Sequence, residues 1–359
     1  MLFPYIYVRH PMEKMQVFID YIFYAVWCQA PVKGPYGLDL FKANSELHEV
    51  MTAFHYDDSK GAEFFAGHVE RIYLLFAGLT PCQIEQLRLW YRANNDVESA
   101  CANDPHASIM RYADIPDSLA GLRDQLAAFF KGLYSHLDMA ALKSKIGNID
   151  DHYQVFATVN KIEKCPFCGI SELLGQYHTK REAYDHYMPK ALYPFNSINF
   201  KNLAPACHHC NSSYKTSKDP AHPQKDPAGG ALRRSFFYPY AATPNNIDIQ
   251  VTLQHANIDK LTLEDINLQF GPPNLYEKIG TWRDVYGIDE RYKAKFCSAD
   301  AKDWIEQFRS MNRKYNVTAE GHLKDIDDSD PFANNNFLKK AFMEACQKNG
   351  LLALIEKFS

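Results

Sequence analysis

Two short stretches decide how this chain is read: Cys165-Pro166-Phe167-Cys168-Gly169 and Cys207-His208-His209-Cys210-Asn211. Each is a Cys-x-x-Cys knuckle, and 38 residues separate Cys168 from Cys207. Two-residue spacing lets both thiolates of a knuckle face one ion, and a glycine after the second cysteine suits the tight turn whose amides point at the sulfurs. Four thiolates satisfy tetrahedral Zn²⁺ and leave no open position, so Cys165, Cys168, Cys207 and Cys210 are expected to hold a structural zinc. A redox Cys-x-x-Cys stands alone at a helix start, whereas two knuckles together favour a metal. His208 and His209 are substitute ligands that the paired cysteines make unnecessary. The other five of the nine cysteines (Cys28, Cys82, Cys101, Cys297 and Cys346) lack such spacing and read as core or surface thiols.

A clasp of this kind joins two ends of a segment, and chemistry is mounted between them. The segment contains Tyr184-Asp185-His186-Tyr187-Met188-Pro189-Lys190 and then Asn199-Phe200-Lys201-Asn202-Leu203-Ala204-Pro205-Ala206. The order Asp185-His186, Asn202-Leu203, Cys207-His208-His209-Cys210-Asn211 resembles the HNH nuclease family, also called the His-Me finger or ββα-metal fold. The likeness is to its members stapled by a four-cysteine zinc. Pro189-Lys190 and Lys215 also suit the pattern, which runs from Cys165 to Lys218; the resemblance does not extend to the flanks. Taken singly, an Asp-His is a surface pair, an Asn-Leu is noise and an Asn after a knuckle is a helix N-cap. Their joint occurrence between two knuckles carries the resemblance.

The resemblance implies a division of labour. Phosphodiester hydrolysis needs an activated water, a cation to neutralise transition-state charge, and stabilisation of the leaving oxygen. His186 is implied as the general base, since imidazole is largely neutral near pH 7. Its other ring nitrogen then needs an acceptor such as a backbone carbonyl. Asp185 and Asn211 are implied as oxygen ligands of one hard catalytic cation, Mg²⁺ or Mn²⁺. Asn202 is implied to brace the loop that carries His186.

Charge sharpens the choice of partner. The chain of 359 residues has 43 acidic and 39 basic side chains, a net charge of −4, which by itself argues against a polyanion. Between Lys161 and Arg234, however, 11 Lys/Arg face six Asp/Glu, while the remainder holds 28 against 37. A basic module inside an acidic chain suits a phosphate backbone. Lys180, Arg181, Lys190, Lys201, Lys215 and Lys218 are the expected nucleic-acid contacts, with Lys225, Arg233 and Arg234 beside them. DNA is the first expectation and RNA the second. The helix expected near Cys207 to Lys215 would lie in or across a groove, and no base-reading pattern is visible.

Outward from the module, residues 12 to about 142 read as helices, with apolar spacing at 12–29, 62–79 and after Pro116. Thr80-Pro81-Cys82-Gln83 reads as an N-cap, a proline at the first helical position and a capping-box glutamine. Asn94 to Asp96 reads as loop punctuation. Residues 247–253 alternate as a half-buried strand, 263–270 form a weaker strand candidate, and helical patterns return at 275–315 and from 335 to the end. The expected fold is mainly α with a small central ββα-metal, zinc-stapled module, α+β overall. Its regions are 1–150 (helical, for docking a partner or substrate), 151–235 (nuclease module) and 236–359 (strands, then helices). Residues 1–30 lack a basic n-region, and the longest apolar run there is Tyr21 to Cys28, so neither a signal peptide nor a membrane span is expected and a cytoplasmic location follows.

The expected function is a metal-dependent HNH endonuclease hydrolysing DNA. By analogy of architecture alone it suits a bacterial or phage-defence effector paired with an ATPase or sensor subunit. The alternatives are a non-catalytic zinc-ribbon module that binds nucleic acid or protein, and a zinc-stapled structural subunit.

Overall fold

The computed structural model describes residues 1–223 and 232–352. Lys225, and the Leu354 and Ile355 positions of the C-terminal apolar pattern, lie outside the described residues. The chain is mainly helical with small two-stranded antiparallel sheets, an α+β fold. It divides into two compact units that interleave along the sequence rather than succeeding one another. One comprises Met1–Pro4, Lys164–Glu172 and Thr243–Ser359; the other comprises Tyr5–Glu163 and Leu173–Ala242.

The unit that begins at Tyr5 is built on aromatic side chains. The helix Pro81–Asn95 starts at a capping box: Gln83 N donates to Thr80 Oγ1 at 3.3 Å, and Thr80 N donates to Gln83 Oε1 at 2.9 Å. Two otherwise orphaned amides are satisfied in this way. The stretch after Met12 runs as an α-helix Lys14–Tyr21 and then widens into a π-turn Ile22–Val26. Phe23 lies in that widened turn and stacks on Tyr91 with ring centroids 3.9 Å apart. Trp27 meets Phe76 and Phe129 at 5.9 and 5.8 Å, and its indole N–H donates to Val69 O at 2.9 Å. Burying such rings with their polar atoms satisfied gives this unit much of its core.

The helix Ile149–Asn160 has a weaker sequence signature, because its buried face includes His152 and Tyr153 beside Ile149 and Phe156. Asn148 caps it, its side chain accepting from Asp151 N at 2.9 Å.

Two short strands follow within the same unit. Strand β1 (Tyr184–His186) pairs antiparallel with β2 (Leu203–Pro205), with Asp185 opposite Ala204 and His186 opposite Leu203. The second knuckle comes next and opens into a π-helical turn, His209–Lys215. Strand, strand and π-helical turn therefore succeed one another, with a π-helix where the resemblance implies an α-helix. The helical element ends at Lys215, where Thr216 takes a positive φ of 49°, and is seven residues long.

The other unit contains β3 (Asp248–Leu253) and β4 (Ile266–Gly271), paired with Val251 opposite Leu268 and Leu253 opposite Ile266. β4 begins at 266 rather than 263 because Thr262–Asp265 form a capped turn, Thr262 N donating to Asp265 Oδ2 at 2.8 Å. Helix Asn336–Lys348 lies against β3.

The first knuckle is seated among this unit's side chains. Trp282 Nε1 donates to Phe167 O at 2.6 Å, and Tyr292 Oη donates to Cys168 O at 2.9 Å. Gly169 has φ +69°, and a Cβ there would fall 2.5 Å from Leu2 Cδ1 and 2.7 Å from Phe337 Cζ, so both conformation and space require glycine. Among the described residues no helix is long and apolar enough to cross a membrane.

Candidate functional site

The four knuckle cysteines are buried, and their Sγ atoms all lie within 4.8 Å of one another. Tetrahedral zinc with bonds of about 2.3 Å needs sulfurs about 3.8 Å apart, so this donor set suits Zn²⁺ after a small contraction. Cys210 N donates to Cys207 Sγ at 3.4 Å, the amide-to-sulfur geometry of a metal knuckle. His208 and His209 are exposed and stand outside the group. Of the remaining cysteines, Cys28, Cys101 and Cys346 are buried, Cys297 is half-buried and Cys82 is exposed.

His186 sits on β1 with its Nε2 2.9 Å from Ser197 O. A carbonyl oxygen only accepts, so Nε2 carries the proton and Nδ1 presents the lone pair. Burial depresses the imidazole pKa to about 3, helped by the positive charges of Lys190 and Lys215, while the carbonyl bond opposes the shift. The ring is therefore neutral at pH 7, with one nitrogen in the state that takes a proton.

The loop between the strands holds Ser197 in place through side-chain amides. Asn202 Oδ1 accepts from Met188 N at 2.7 Å, and its Nδ2 donates to Met188 O and Asn196 O at 3.0 and 3.3 Å. Both ends of the loop are thus tied to one buried side chain. Asn94 and Asn95 lie in the last turn of Pro81–Asn95 and do not form the loop that their composition suggests. Asn94 Nδ2 donates to Pro194 O at 3.0 Å, Asn196 Nδ2 donates to Asn94 O at 3.1 Å, and Asn199 Nδ2 donates to Asn95 O at 3.0 Å. Between them Phe195 is buried at φ +80°, a costly conformation for a bulky residue. Its ring is wedged against Phe23 and Phe130 at 5.5 and 5.3 Å. Asn94, Phe195, Asn196 and Ser197 are site-shaping residues that the motif did not mark; their only sequence signal is an unusual density of asparagine.

Asp185 and Lys215 form an ion pair in the interior, with side chains 2% and 0% exposed. Lys215 Nζ donates to Asp185 Oδ1 at 2.8 Å and to His186 O at 2.8 Å. Lys215 is therefore not a surface phosphate contact: its ammonium is taken up by the carboxylate and by the backbone of the histidine. Arg233 and Arg234 are likewise turned to backbone carbonyls, Arg233 to Asp104 O and Arg234 to Pro220 O, each at 3.2 Å. Lys180 and Lys201 are exposed, and Lys190 and Lys218 are half-buried. Arg181 is half-buried and pairs with Asp150 at 2.7 Å. Asn211 is half-buried in the turn His209–Lys215.

Replacing Lys215 by methionine leaves Asp185 buried without its partner charge. Unfolding in denaturant is expected to show a loss of about 3–5 kcal/mol. Adding Asp185→Asn should restore a large part of that loss; a double variant as unstable as the single one would show that the pair is not its origin.

No family model matches the chain, and no solved structure matches it. Over 57 residues the chain is 46% identical to Protein ea31 of Escherichia phage lambda, a match covering 16% of this chain and 17% of that protein. The chain thus spans well under two thirds of the curated relative it matches.

Proposed function

We propose that the chain is a metal-dependent endonuclease of the HNH type, hydrolysing phosphodiester bonds in DNA. The observation that carries this reading is His186: its Nε2 is tied to Ser197 O, leaving a neutral Nδ1, on the strand that also carries the buried Asp185 and is followed by β2 and a π-helical turn. In this reading Nδ1 removes the proton from the attacking water. Ser197 O fixes the tautomer, and Asn202 with Asn94 keeps that carbonyl from moving. Asp185 and Asn211 would offer a carboxylate and an amide oxygen, the donor types of a hard divalent ion, once Lys215, which holds Asp185 Oδ1 here, releases it. Such an ion, when bound, supplies charge neutralisation at the scissile phosphate and the leaving oxygen. Lys180, Lys201 and Lys218 would engage neighbouring phosphates, with affinity falling as salt rises.

The test is incubation of the full chain with supercoiled, linear and single-stranded DNA, and with RNA, in Mg²⁺, Mn²⁺ or EDTA. Nicking or cutting of DNA in a divalent metal and none in EDTA is expected. Cleavage of RNA alone would move the substrate. No cleavage of any substrate under all conditions would overturn the nuclease reading in favour of a zinc-stapled binding module.

A further inference from the structure

The wall beside His186 contains a residue from outside the motif. Tyr134 follows the helix Ala120–Leu133, in the 3-10 turn Tyr134–His136. Its ring stands edge-on to the His186 ring, with centroids 4.8 Å apart and an interplanar angle of 80°. The Tyr134 hydroxyl is buried and meets no partner at hydrogen-bonding geometry among the described residues. A buried hydroxyl without a partner costs about 1–3 kcal/mol, so one that persists at a site calls for a missing acceptor.

The surroundings state the charge of that acceptor. Lys190 Nζ lies 5.6 Å from the Tyr134 ring centroid, is half-buried, and makes no ion pair among the described residues. Arg181 acts on the phenol as a nearby positive charge, from a half-buried position, and donates to Asp150 Oδ1 and Glu182 O. A guanidinium only donates, so it leaves the phenol proton without an acceptor. One unsatisfied O–H donor and the Lys190 ammonium thus stand beside His186, with the Arg181 charge, offset in part by Asp150, acting on the phenol. Lys190 alone over a ring could be ordinary cation–π packing; the hydroxyl beside it, with no acceptor, is what packing does not explain.

We propose that Tyr134, with Lys190 and Arg181, forms an oxyanion subsite that binds a non-bridging oxygen of the phosphodiester being cleaved. The ligand class is a tetrahedral phosphate ester of a nucleic-acid backbone. Tyr134 would then be a substrate-binding residue supplied by the N-terminal helices, with its hydroxyl donating to the phosphate oxygen and Lys190 meeting the same charge. The assignment rests on the nuclease reading for its substrate, but not for its anion.

Two arms keep these apart. In the first, inorganic phosphate is titrated into the zinc-loaded full chain, and the His186 ring resonances are followed by NMR. Wild type should respond saturably; Tyr134→Phe and Lys190→Met should each raise the apparent Kd by about 10-fold or more, and Tyr177→Phe, an exposed tyrosine elsewhere, should not. In the second arm, Tyr134→Phe is assayed on plasmid DNA, where kcat should fall by about 10²-fold, as for loss of one transition-state donor, with melting temperature equal to or above that of wild type, since an unpartnered buried hydroxyl is removed. Absence of phosphate binding in wild type, or equal binding by Tyr134→Phe and wild type, overturns the subsite. Phosphate binding that depends on Tyr134 without DNA cleavage by wild type retains the subsite and removes the nuclease reading.

Discussion

Replacing His186 by alanine is expected to reduce plasmid cleavage in Mg²⁺ by about 10³-fold, within the range that a positioned general base contributes. Zinc content and melting temperature should stay near those of wild type, because among the described residues the ring makes its one polar contact with Ser197 O and is not a knuckle ligand. Retained cleavage would remove the base assignment.

The same residue sets an expectation for pH. A general base works deprotonated, so its activity is lost as pH falls through its pKa. Burial and the neighbouring lysines hold His186 down to about 3. An unperturbed imidazole would lose about thirty-fold between pH 8 and pH 5. The His186-dependent rate should instead show no such fall over this range. A rate profile on the zinc-loaded protein that drops with a midpoint near 6.5 would mean that the ring is solvated and free rather than held in its buried position.

Cys207→Ser is expected to have the largest effect on the fold. Structural zinc in small metal modules contributes about 10–16 kcal/mol of apparent binding energy, which rivals the whole stability of an ordinary domain. The variant should lose most of its zinc, and the fluorescence and circular dichroism of the knuckle-bearing regions should report unfolding. Chelation of wild type should do the same. Elemental analysis gives the direct check: wild type should carry one equivalent of zinc, and under half an equivalent would mean that the quartet does not hold it. His186→Ala and Cys207→Ser together separate chemistry from scaffold, since the first should spare the metal and the second should not.

These two expectations come from different kinds of information. Knuckles of two-residue spacing, the capping box at Thr80 and the alternation through Val251 are local patterns, in which residues a few positions apart share one turn or one strand face. Local geometry follows from spacing, so these features were legible directly. The two short strands around Asp185-His186 and Leu203 had no such local pattern and were expected only from the family resemblance.

Other features joined residues that lie far apart. Lys215 reads as one more basic residue of a DNA-contacting face, yet it is fully buried on Asp185, 30 positions away. Arg233 and Arg234 read alike and are turned inward. The Asn94–Asn95 pair reads as a loop and is instead the end of a helix that grips Pro194 and Asn199, some 100 positions on. Charge and composition state what a side chain can do; burial and available partners decide which of those things it does.

The sequence by itself marked the four cysteines that the fold gathers into one buried cluster, because two-residue spacing dictates the local geometry of each knuckle. Only the tertiary structure decided which nitrogen of His186 is free, which lysine is buried, and which residues of the helical region stand beside His186. Those choices depend on which backbone carbonyls and side chains converge after the aromatic core has packed, and no local pattern encodes that convergence.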